Sequence, residues 1–229
     1  MNNRQFNQVL FTLIAGGPLV LCSTTAAAYT QFQARDALRQ SLQAGSNFAV
    51  KQLGTLDGFW GSEKVRIPLP AFLEQGRRLL KTFGQQERLE ALHMSVNRAA
   101  ESAVSQALPL LKNAVSSLST KDAVNILKGG NTAVTDYFES VTREPLTAQF
   151  LPTVQQATQQ SKAAEQYAQL LKTAQRFGVG QHQPATVAEH VTLSALNSLY
   201  ATVAEAEQQL RANPRQAATR VLRQVFGNL

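Results

Sequence analysis

The sequence predicts an all-α fold: a single helical bundle of about seven to nine helices, following a cleaved signal peptide. Three observations predict it. Apolar residues recur at threes and fours over most of the chain, the period of one helical face. No sustained alternation of β-branched residues appears, so strands are not expected. Glycine and proline then cut the periodic regions into helix-sized pieces. With 229 residues and 44% hydrophobic composition, the chain can bury a real core.

The first 28 residues have the layout of an export leader. Met1 to Gln8 is polar with one charge, Arg4. Val9 to Cys22 is an apolar run of about 14 residues, and Ala26-Ala27-Ala28 supplies an A-x-A cleavage site. That run is short of the roughly 20 residues a membrane-spanning helix needs. Cleavage after Ala28 makes 1–28 the signal peptide, leaves 29–229 as one helical domain, and places it in the periplasm. Lipidation of Cys22 is the less favoured alternative, because Leu21 is not the small residue a lipobox requires. Cleavage removes the only cysteine, which excludes disulfides and thiol chemistry from the mature chain.

In the mature region the first helix is expected over Gln31 to Leu53. Gly54 to Pro70 breaks the period with Gly54, Gly58, Gly61, Pro68 and Pro70, and reads as an ordered excursion. A helix comes next, to about Phe83, closed by Gly84. Gln85 to Leu118 is the longest periodic region, split or kinked at Pro109. Thr120 to Lys128 is a short helix ended by Gly129-Gly130, with Asn131 or Thr132 as the next N-cap. Pro145 and Pro152 punctuate the stretch beyond that cap, and Thr153 to Phe177 is helical. After the polar linker Gly178 to Pro184, Thr186 and Glu189 form a capping box opening a helix to about Ala212. Asn213-Pro214 restarts the chain for a last helix ending at Gly227.

Five sets of residues stand out in chain order: Leu56-Asp57-Gly58-Phe59-Trp60-Gly61 with Val65-Arg66-Ile67-Pro68-Leu69-Pro70, Asn97-Arg98-Ala99-Ala100-Glu101, Gly129-Gly130-Asn131-Thr132-Ala133 with Tyr137-Phe138, Arg211-Ala212-Asn213-Pro214, and Val225-Phe226-Gly227. Together they resemble domain-of-unknown-function family 4197, a group of exported bacterial proteins. The resemblance covers nearly the whole mature chain in order. It implies an exported all-helical single domain and carries over no activity. The chain departs from the family pattern at Glu139-Ser140-Val141 and at Asn197-Ser198.

Charge excludes little. The chain carries 22 Lys+Arg against 15 Asp+Glu, net +7, and +7 − 1 = +6 once Arg4 is removed. No like-charge run occurs, so a mildly basic surface is the reading, and nucleic acid is not expected as a partner. The three histidines, His93, His182 and His190, lack metal-ligand spacing, and no phosphate loop or nucleophile elbow occurs. No cofactor or metal is expected.

Two candidate sites remain. Phe59 and Trp60 sit among glycines beside Asp57, where aromatics either plug the core or form an exposed tip. Asn97, Arg98 and Glu101 share a helix, and Arg98 and Glu101 stand at i, i+3 and can pair. Gly129, Gly130 and Tyr137 complete the candidate ligand- or partner-binding set, the two glycines because turn amides can meet an anion. The expected function is a non-catalytic periplasmic binding or envelope-assembly protein, holding a lipid or other amphipathic ligand or an envelope protein, with peripheral membrane contact open to it. A periplasmic hydrolase built on Asp57, Arg98 and Glu101 is the rival, and a structural scaffold the third reading.

Overall fold

A computed structural model describes residues 29–119, 121–176 and 186–229. The leader, the 178–184 linker and His182 lie outside the described residues. Within them the fold is all-α. Helix α1 spans Gln31–Leu53, α2 Ala71–Thr82, α3 Gln86–Ser105, α4 Leu108–Ser117, α5 Ala123–Leu127, α6 Ala133–Gln160, α7 Ala163–Arg176, α8 Val187–Ala212 and α9 Arg220–Phe226.

Helix α1 opens with a capping box in which Thr30 and Gln33 satisfy each other's backbone amides. Its buried stripe runs Ala34, Ala37, Leu38, Leu42, Gly45, Ala49 and Leu53, and it packs on α8, α4, α5 and α9. Small residues on that stripe let axes approach closely. A Cβ on Gly45 would lie 2.9 Å from Val203 Cγ1 of α8. The second long helix, α8, opens with the Thr186–Glu189 capping box expected from the sequence. Helices α6 and α3 close the core around this pair, and Phe138, Phe150, Leu92 and Val96 are fully buried there. No helix among the described residues is long and apolar enough to cross a membrane.

Four expectations need correction. Pro145 and Pro152 do not break the chain; both lie inside α6. They stand seven residues apart, hence on one face, and both are exposed. The carbonyls each proline leaves unbonded therefore sit on the side open to water, which keeps the cost low. The expected single helix from Thr153 instead breaks at Ser161–Lys162, where Lys162 takes a φ of 60°. Asn213-Pro214 opens only a 3-10 turn over Pro214–Gln216, and α9 starts later on a Thr219 cap. Finally, neither Asn131 nor Thr132 caps α6 through its side chain. That role falls to Glu207, whose carboxylate accepts from the Val134 and Thr135 amides at 3.1 and 2.8 Å.

Candidate functional site

The segment between α1 and α2, residues 54–70, forms a strap across α3 and α8. Its first part is a compact turn. Asp57 adopts a left-handed φ of 64°, a conformation that aspartate tolerates better than most residues. Gly58 comes next because any Cβ there would lie 2.4 Å from the Leu53 carbonyl oxygen. This turn drives the two aromatics apart. Phe59 is wholly buried, whereas Trp60 is half-buried. The plug and tip alternatives are thus divided between neighbours: Phe59 plugs, and Trp60 keeps one side at the surface.

Three residues of α3 hold the strap. Glu101, 5% exposed, accepts hydrogen bonds from the Phe59 and Trp60 amides, each at 3.1 Å to the same oxygen. Its other oxygen receives Arg98 Nη1 at 2.7 Å, and Arg98 Nη2 reaches Asp57 Oδ1 at 2.7 Å. The Arg98 guanidinium, with Glu101 as its strongest partner and Asp57 second, is held even more firmly protonated than usual. Asn97, fully buried, acts as a surrogate strand. Its Oδ1 accepts from the Ile67 amide at 2.8 Å and its Nδ2 donates to the Ile67 carbonyl at 3.0 Å.

The second half of the strap is irregular up to Pro70, so the Ile67 and Pro68 carbonyls have no helical partner. Two histidines supply donors. His93 Nε2 lies 3.0 Å from the Ile67 carbonyl oxygen and His190 Nε2 lies 2.8 Å from that of Pro68. A carbonyl only accepts, so each Nε2 carries a proton. Burial pushes the His93 imidazole below its ordinary pKa, with the Ile67 carbonyl and Glu74 opposing and Arg77 and Arg66 assisting. Lys64 anchors the strap to α8 through Glu205 at 2.6 Å.

The outer face of the strap carries the exposed side of Trp60. His93 meets its ring edge-on at 5.1 Å, and the Arg66 guanidinium lies 4.9 Å over the ring while its Nε donates to the Trp60 carbonyl at 2.8 Å. Such cation–π stacking orients a guanidinium as well as stabilising it. Arg66 makes no ion pair among the described residues. Leu56, 76% exposed, precedes Asp57, and Met94, 45% exposed, stands one helical turn before Arg98. Both therefore flank the Asp57–Arg98 pair.

Six of the nine residues singled out in the sequence, Asp57, Phe59, Trp60, Asn97, Arg98 and Glu101, meet at this strap. Gly129, Gly130 and Tyr137 do not. The two glycines form the α5–α6 turn, and Tyr137 donates its hydroxyl to the Ser119 carbonyl, tying the end of α4 to α6. Arg66, His93 and His190 were missed as contributors; only the position of His93, one turn before Asn97, hinted at a shared face. Glu207 and Arg211 were missed as a pair. Among the described residues no three His, Cys, Asp or Glu side chains converge as metal ligands.

An all-α bundle whose longest irregular segment among the described residues is fastened face-down by polar side chains, leaving a tryptophan–arginine face outward, is the class of protein these observations define. The chain belongs to the family described as protein of unknown function DUF4197, whose model matches residues 28–227. No curated protein and no solved structure matches it.

Proposed function

We propose that this protein is a non-catalytic binding module of the bacterial envelope, exported by its 28-residue leader, which docks an envelope protein through the outer face of the strap. The observation that carries this reading is the presentation of Trp60. Its backbone amide is fixed by Glu101, and its ring is flanked by Arg66 and His93. A rigid, half-exposed tryptophan beside an arginine free of carboxylate partners is the composition of an interface anchor, where truncation typically costs most. Leu56 and Met94 extend the apolar part, and methionine adapts readily to an incoming surface. The open guanidinium of Arg66 favours a partner with a carboxylate next to an apolar side chain.

The hydrolase reading is less well supported. A general acid or base needs a lone pair or proton aimed at substrate. Both oxygens of Glu101 are instead occupied by two amides and Arg98, and Asp57 shares that same guanidinium.

The test is site-specific photo-crosslinking in cells that carry this chain naturally. A photoreactive residue at Met94 or Leu56 should yield one discrete adduct with an envelope protein, and Trp60→Ala or Arg66→Glu should abolish it. A probe at exposed Val141 on α6 should yield none. An identical adduct pattern from position 141, or adducts indifferent to Trp60→Ala, overturns the docking surface. Mass spectrometry of the same material should find Tyr29 as the first residue; an intact Met1 refutes the export component.

A further inference from the structure

The outer face of the strap also exposes an oxidisable atom. Met94 is 45% exposed on α3. Outside residues 1–28 its thioether is the chain's single sulfur, because Met1 and Cys22 both lie in the leader. We propose that Met94 is a reversible oxidation site, whose conversion to the sulfoxide by a hydroperoxide closes the Trp60 face to its partner. The inference rests on the docking reading above and names the regulation of that same face.

The neighbours of Met94 place it in that face. Trp60 has its amide on Glu101 and its ring 5.1 Å from the His93 ring, which stands nearer the start of α3. The indole therefore extends back along the helix, and Met94 follows His93 directly. Arg98 stands one turn further on the same side of α3 as Met94. It donates to Asp57 at 2.7 Å, the contact that secures the left-handed turn before Trp60. Leu56, the other exposed apolar residue here, immediately precedes Asp57.

The chemistry needs only the thioether and a peroxide. A thioether packed in a core is shielded, whereas an exposed one is open to oxidants. The Met94 sulfur attacks the terminal oxygen of hydrogen peroxide. The S–O bond forms as the O–O bond breaks, sulfur gives up two electrons, and the transferred hydroxyl's proton leaves with the departing hydroxide as water. No cysteine competes for the oxidant in residues 29–229. An indole is a poorer nucleophile toward peroxide than a thioether, so Trp60 is spared.

Oxidation reverses what Met94 contributes to docking. A flexible apolar side chain becomes a polar one carrying a strong acceptor. An apolar partner surface offers that oxygen no donor, and an unmet polar atom is costly to bury. Arg98, four residues on, is a cationic donor on the same side of the helix, and a bond from it to the sulfoxide competes with Asp57. The first effect acts at the contact, the second through the turn that positions Trp60. A docked partner in turn covers Met94, so oxidation acts on the free protein.

The experiment takes the purified mature chain with a photoreactive residue at Leu56, either untreated or oxidised with hydrogen peroxide that is then removed. Each sample is mixed with the envelope fraction of cells that carry the chain naturally and is irradiated. Mass spectrometry should find a single added oxygen, on Met94, formed at a rate comparable with that of free methionine. The Leu56 adduct should fall at least about tenfold on oxidation and return after treatment with methionine sulfoxide reductase. Met94→Leu has no sulfur to oxidise; whatever its own adduct yield, that yield should not change with peroxide. A Met94 that stays unoxidised, a wild-type adduct indifferent to peroxide, a loss shared by Met94→Leu, or a loss the reductase does not reverse overturns this inference and leaves the docking reading standing. Absence of an adduct from every untreated chain overturns the docking reading itself, and the inference with it.

Discussion

Replacing Glu101 tests the architecture of the strap most directly. Glu101→Ala removes the acceptor of two backbone amides, one of them buried, together with one partner of Arg98. Hydrogen bonds to a charged acceptor contribute about 1.5–3 kcal/mol each. Both amides share one oxygen, so each falls toward the lower end of that range and the two together contribute about 3 kcal/mol. The Arg98 contact adds less, because Arg98 is 30% exposed and keeps Asp57; such pairs contribute about 0–1 kcal/mol. A loss of about 3–4 kcal/mol is therefore expected for the alanine variant. Glu101→Gln keeps an oxygen for the amides but turns an NH₂ toward Arg98, and should cost about 1–2 kcal/mol. Urea unfolding gives both values, and the single Trp60 reports on the strap itself, with red-shifted emission expected for the alanine variant alone. If Glu101→Ala loses under about 1 kcal/mol, the carboxylate does not hold the strap. If the glutamine variant loses as much as the alanine, charge rather than amide acceptance is the governing quantity.

Three other substitutions have outcomes that the structure sets. Gly45→Ala places a methyl against the stiff, β-branched Val203 and should destabilise the chain by about 1–3 kcal/mol, part of it recovered by pairing with Val203→Ala in a double-mutant cycle. Phe59→Ala empties a fully buried site and should cost about 3–5 kcal/mol by urea denaturation, without the pH dependence of the next case. His93 has a folded pKa below its ordinary 6.5, so the folded state binds that proton less readily than the unfolded chain. Its contribution is fully present above pH 6.5 and declines as pH falls from there through the lower folded value. The urea midpoint should fall over this window, and His93→Gln, which can still donate to the Ile67 carbonyl, should flatten that part of the profile. Glu74, Arg77 and Arg66 also face the imidazole, and His93→Gln leaves all three in place, so an unchanged slope in the variant refutes the assignment.

The parts of this fold that were legible in sequence are those decided locally. Helix α1 and the start of α8 are set by periodicity and by a Thr–x–x–Gln/Glu box, whose partners lie three residues apart. The strap was legible as a place, since glycines around two aromatics leave few alternatives, but not as a geometry. Which aromatic goes inward depends on the left-handed Asp57, and that is fixed by Arg98, 41 residues away. The prolines of α6 misled for a related reason: a proline inside a helix costs less where its freed carbonyl faces water, and the exposed face was not visible without the packing. Glu207 was the most hidden of all. Its amide partners lie 72 and 73 residues upstream, and the nearby Asn131 and Thr132 offered a plausible local cap that the chain does not use.

Glu101 and Glu207 use one device twice. Each is a carboxylate buried on a long helix, paired with an arginine of its own helix, and each accepts two consecutive amides of a remote segment: residues 59 and 60 in one case, 134 and 135 in the other. A helical bundle has no sheet to absorb irregular backbone, so the amides of the strap and of the α6 start need side-chain acceptors. A buried ion pair adds little stability over an apolar replacement, yet removing half of it is expensive. Such pairs therefore fix position more than they raise stability. That distinction bears on function, because the Trp60 face proposed to dock a partner is fixed by one of these carboxylates. Glu101 determines where Trp60 stands, and Glu207 sets both the α6 turn and the orientation of Arg211. A variant that loosens Glu101 should thus weaken recognition at the Trp60 face, whereas one that loosens Glu207 should leave that face intact, which separates positioning from overall stability by a means independent of any ligand contact.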